Sequence, residues 1–145
     1  MISGYRKNFM DMPAGLQFIW VTCLVPAFFT IVSMIPNTSL SVYGKQVPIE
    51  TWWAKGGGPS VAIVSVAMCG AAWLMLTRVA LARLVYAIAC ILLVVSIPVI
   101  GVCFNLNRHD VLVSSITNAL MMSVPVLYLY LSRAVREYFG NPVRP

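Results

Sequence analysis

Charge is what this sequence has least of. Of its 145 residues 10% are charged, against roughly 25% in a soluble domain. The acids number four, Asp11, Glu50, Asp110 and Glu137, and there is one histidine, His109. Hydrophobic residues make up 60% of the chain, too much for the polar remainder to cover a water-soluble body of this size. A phosphate-cradling glycine loop, a carboxylate pair, a nucleophile beside a base and a metal-ligand spacing are all missing. The sequence therefore predicts a non-enzymatic protein with no cofactor and no metal site. Nucleic acid is not an expected partner either. The net charge of +6 is spread thinly between apolar runs, where it suits topology and contact with anionic lipid at a cytoplasmic face better than a basic docking patch.

Four apolar runs dominate what is present: from about Leu16 to Ile35, Ser60 to Thr77, Leu84 to Phe104 and Val111 to Leu131, none holding a charged residue. A hydrocarbon layer about 30 Å thick needs about 20 helical residues to cross it. The runs are apolar around their whole circumference, unlike surface helices, and too long and continuous for strands of a membrane barrel. They predict an all-α integral membrane protein. Its single domain, residues 1–145, would hold four transmembrane helices in an up-down antiparallel bundle. The first run exceeds the apolar core of a signal peptide and lacks an Ala-x-Ala cleavage site, so it is read as a retained helix.

Basic residues divide unevenly between alternate loops. Arg6, Lys7, Arg78, Arg83, Arg133, Arg136 and Arg144 fall on one side, and Lys45, Lys55 and Arg108 on the other. That bias puts both termini in the cytoplasm of a plasma or bacterial inner membrane. The second and third loops are short enough to force antiparallel neighbours. The first, from Pro36 to Pro59, is longer and predicts a short β-hairpin around Tyr43-Gly44-Lys45. Trp52 and Trp53 follow, as an interfacial belt or, with Tyr43, as a partner surface. Gly56-Gly57-Gly58-Pro59 reads as a flexible lead-in to the second span.

Inside the spans the polar residues are weak. Asn118 is the costliest, and its amide is expected to seek a partner on another helix. Ser115, Ala119 and Ser123 on the fourth span, and Ala67 and Ala71 on the second, suggest inward faces. Pro26, Pro98 and Pro125 predict kinks. Cys23, Cys69, Cys90 and Cys103 read as apolar packing residues without disulfides. Arg108, His109 and Asp110 form a surface cluster in which His109 could report pH, although a lone loop histidine is usually a solvated residue. The segment from Arg133 to Phe139 is expected to continue the fourth helix into the headgroups, with Tyr138 and Phe139 at the interface and Gly140 and Pro142 ending it.

These features favour a membrane-embedded interaction or accessory protein. It would bind a membrane protein partner, or a second copy, through its helices and first outside loop. Tyr43, Trp52, Trp53, Arg108, His109 and Asn118 are the residues expected to touch that partner or pack at the contact. An immunity-type protein, which blocks a pore-forming toxin in the bilayer, would share its size and helix count, an analogy of form alone. The alternative is a small oligomeric transporter or channel for a small solute or ion, with a path built from Ser114, Asn118 and the kinks at Pro98 and Pro125.

Overall fold

The computed structural model describes residues 2–140; Pro142 and Arg144, read above as a helix stop and a cytoplasmic charge, lie outside them. Four helical segments are long and apolar enough to cross a membrane: Ala14–Val32, Gly57–Leu76, Ala82–Cys103 and Arg108–Leu131. An amphipathic helix α1 (Ile2–Met10) precedes the first, which is itself divided into α2 (Ala14–Cys23) and α3 (Val25–Val32). The division at Leu24 follows from Pro26, which has no N–H to give the carbonyl four residues back. The Leu24 N–H bonds instead to the carbonyl of Val21, three residues back. The kink expected at Pro26 is thus a break, whereas Pro98 and Pro125 lie inside continuous helices.

Along the C-terminal half of α3 a small polar stitch replaces apolar packing. The Thr30 hydroxyl lies 2.9 Å from the Pro26 carbonyl and 2.7 Å from the buried Ser65 hydroxyl on the second long helix. Ser65 in turn bonds the Val61 carbonyl. Buried hydroxyls cost little once they are paired, and this pair fixes α3 against its neighbour.

The predicted hairpin forms. Strands β1 (Ser39–Val42) and β2 (Lys45–Pro48) pair antiparallel with Val42 opposite Lys45. Tyr43 and Gly44 make the turn at φ +50° and +77°, the left-handed pair a two-residue I′ turn requires. A short helix α4 (Ile49–Ala54) runs from the hairpin to α5 (Gly57–Leu76), followed by α6 (Ala82–Cys103), α7 (Arg108–Leu131) and α8 (Arg133–Gly140).

Helix α5 is the central element, packed on α2, α3 and α6, while α7 packs mainly on α6. Ala71, one of the two alanines expected to face inward, is fully buried, and Ala72 and Met75 join it. The larger core unites these with Leu16, Tyr86 and Leu129, and a smaller one gathers Val47, Ile49, Trp52 and Ile100 beneath the hairpin.

Two expectations are corrected here. On the fourth helix Ala119 and Ser123 are exposed and Ser115 only half-buried, so the face read as closely packed is left open, with Ala119 and Ser123 lining a gap against Cys90, Ile91 and Val94 of α6. And the chain does not continue the fourth helix past Leu131: Ser132 is extended, at φ −67° and ψ 125°. The apolar stripe of α8, Val135, Tyr138 and Phe139, has the i, i+3, i+4 spacing of a helix face that buries against protein. It folds back on the larger core and all three are buried, rather than resting at the interface.

Candidate functional site

The first loop and the third loop meet at one end of the molecule. Trp52 stacks on Phe104 at the end of α6, ring centroids 5.5 Å apart, and the Trp53 indole N–H donates to the Ser33 carbonyl at 2.7 Å. Lys55 stands over the same Phe104 ring, and Lys45 reaches the Asn105 carbonyl at 3.4 Å. Below the two indoles lie Gly57 and Gly58. A β-carbon on Gly57 would overlap the Trp52 ring, and one on Gly58 the Trp53 ring. The glycines read as flexible lead-in are therefore the first turn of α5, with left-handed Gly56 capping it and their bare backbone seating two tryptophans.

This arrangement separates the residues singled out in the sequence. Trp52 is buried and Trp53 half-buried, both committed to the bundle, whereas Tyr43 is exposed at the hairpin tip. Arg108, His109 and Asp110 are exposed in the first turn of α7. Asn107 caps that helix by accepting the His109 backbone N–H, and His109 lies 3.7 Å from Asp110. A carboxylate beside the first turn complements the helix dipole. Capping thus accounts for Asn107 and the helix dipole for Asp110, whereas neither accounts for Arg108.

Asn118 sits at mid-depth of α7, half-buried. Its amide nitrogen donates to the Ser114 carbonyl of its own helix at 2.9 Å. That is the only hydrogen bond of its side chain among the described residues, so the expected bond to another helix of the bundle is absent there. Within α7 only Leu129 is buried, and none of the most apolar window lies inside the fold. Met122 and Val126 pack on the edge of the larger core, and two glycine contacts fix the helix nearer its ends. Tyr128 passes over Gly15 of α2, and Val111 presses against Gly101 of α6, each glycine leaving room that a β-carbon would close.

The opposite end holds a cluster that no motif announced. Arg78 follows α5 in a left-handed conformation, φ +57°. Its guanidinium pairs with Asp11 at 2.7 Å and lies 4.8 Å from the centroid of the Tyr138 ring. Its Nε is buried without a hydrogen-bond partner among the described residues. The Tyr138 hydroxyl donates towards the carbonyls of Met75, at 3.1 Å, and Asn8, at 3.3 Å, while the Asn8 amide donates to the Leu76 carbonyl. The Arg83 guanidinium stands over the neighbouring Phe139 ring, 5.4 Å from its centroid. The signal available in sequence was the pairing of Asp11 with a basic short loop and an amphipathic tail.

No protein-family model, no curated protein and no solved structure matches the chain.

Proposed function

We propose that the chain is a four-span protein of a plasma or bacterial inner membrane, an up-down antiparallel bundle with both termini cytoplasmic. In this reading it acts without enzymatic chemistry, as an interaction or accessory subunit. The fourth helix carries the proposal. It is as apolar as a span must be, yet none of its most apolar window is fully buried, Ala119 and Ser123 stand exposed at an open gap beside α6, and among the described residues the Asn118 side chain bonds only within its own helix. In hydrocarbon the unused amide capacity of Asn118 favours a polar partner from another membrane helix, worth about 0.6–2 kcal/mol. Small side chains beside it permit close approach. The occupant is a helix of a partner membrane protein or α7 of a second copy.

Replacing Asn118 with Leu should reduce partner recovery about three- to tenfold in crosslinking and co-purification from native membranes, without loss of the folded bundle. Unchanged recovery, coupled with loss of solute flux in liposomes, would instead favour a small oligomeric transporter or channel.

Tyr43 supplies a second contact. A non-glycine residue in the left-handed region costs roughly 1–2 kcal/mol, and an exposed aromatic kept there fits a surface held for use better than one held for folding. Tyr43→Asn should raise thermal stability, because Asn tolerates this conformation, while weakening partner capture. A variant both more stable and equally well captured would show that Tyr43 is a lipid-interface anchor.

A further inference from the structure

Helix α3 packs on α5 but not extensively on α6 or α7, although α6 also packs on α5. The result is a groove of about 480 Å³ between the first span and the α6–α7 pair. We propose that this groove lodges one acyl chain of an outer-leaflet phospholipid. The inference rests on the bilayer placement proposed above.

Pro26 and Phe29 form one wall, Leu93 and Met122 the other, and Val61 and Met68 of α5 the floor. Two of the three hydroxyls on its lining are already committed, and the third, that of Tyr86, lies at the inner end. Thr22 bonds the Ile19 carbonyl and Ser33 the Thr30 carbonyl. A solute needing hydrogen bonds gains little from such a lining, and an aliphatic chain gives up none. Cys23 and Tyr86, both buried, close the inner end, while Leu40 of β1 and Trp52 of α4 roof the outer one. A guest therefore enters sideways between α3 and the α6–α7 pair, where the surroundings are hydrocarbon. Val61 and Met68 are two helical turns apart, about 10 Å at 1.5 Å per residue. That fits within one leaflet of a hydrocarbon layer about 30 Å thick.

The test uses the full chain reconstituted with a phospholipid carrying a photoactivatable group midway along one acyl chain. Native mass spectrometry in mild detergent provides a second readout. We expect adducts concentrated on Phe29, Met68 and Met122, and one phospholipid retained per chain. Val61→Trp fills the floor and should lower retention at least fivefold. Met122→Trp closes the same space from α7 and should act alike. Val102→Trp, on a residue 79% exposed outside the groove, should leave retention unchanged. Adducts spread evenly over outward positions such as Val66 and Val102, with retention unaffected in whichever filling variant remains folded, would overturn the lodging site. Release of the native chain from membranes by alkaline carbonate would overturn the bilayer placement itself, a separate failure seen before any lipid is added.

Discussion

Replacing Gly57 and Gly58 together with Ala should unseat the first loop, with a red shift of tryptophan emission and a loss of stability of about 3 kcal/mol. Two opposing effects decide the sign. Alanine is favoured over glycine inside a helix by about 0.8–1.0 kcal/mol per site, so propensity alone predicts a more stable α5. Against it stands overlap between each new methyl and an indole ring that Gly57 and Gly58 now underlie. The rings can yield only by giving up the Trp52–Phe104 stack and the Trp53–Ser33 hydrogen bond. Losing the packing of a large aromatic typically costs about 3–5 kcal/mol, which outweighs the propensity gain. Gly70 supplies the control on the same helix. A β-carbon there meets nothing within 4 Å, so Gly70→Ala should stabilise by about 1 kcal/mol. Thermal unfolding in detergent, followed by tryptophan emission and acrylamide quenching, separates the two. A double variant that melts above the native protein with unshifted emission would mean that the tryptophans do not rest on these glycines.

The difference between Gly70 and Gly57 marks where sequence reading stops. Uncharged runs near twenty residues announce long apolar helices because a charge inside them would be costly at any position, whatever the neighbours. The Tyr43-Gly44 turn is similarly local: two flanking strands and a glycine suffice to place it. By contrast, nothing around Gly57 and Gly58 distinguishes a flexible linker from a ring seat, since the rings come from α4 and the requirement is tertiary. Asn118 fails for a related reason. A helical asparagine can satisfy one donor on the carbonyl four residues back, so part of its cost in hydrocarbon disappears without another helix of the bundle. The tail shows the third case. Its apolar stripe is plain at Val135, Tyr138 and Phe139, but whether such a stripe meets lipid or protein depends on distant groups that meet it in the fold, such as Asn8, Met75 and Arg78.

That tail carries the other large effect: Tyr138→Ala should destabilise the protein by about 3 kcal/mol, and Tyr138→Phe by only about 1 kcal/mol. The alanine variant removes a ring buried between the core and the Arg78 guanidinium, a truncation of the aromatic-to-alanine kind. The phenylalanine variant keeps the ring and withdraws only a hydroxyl shared between the Met75 and Asn8 carbonyls, a loss near the usual value of one hydrogen bond. Arg78→Ala should fall nearer the smaller figure, because Asp11 is 46% exposed and water replaces its partner. Alkaline pH offers an independent check. Burial pushes the Tyr138 phenol above its ordinary value of 10, against the opposing pull of Arg78. The unfolded chain then releases this proton first, so the contribution is whole below about pH 10 and is lost as pH rises through the folded value. Comparing native and Tyr138→Phe melting between pH 8 and 11 should show that part of the decline only in the native protein. If Tyr138→Ala unfolds within about 0.5 kcal/mol of native, α8 lies free on the membrane surface, and the basic residues of this end are left to lipid rather than to the fold.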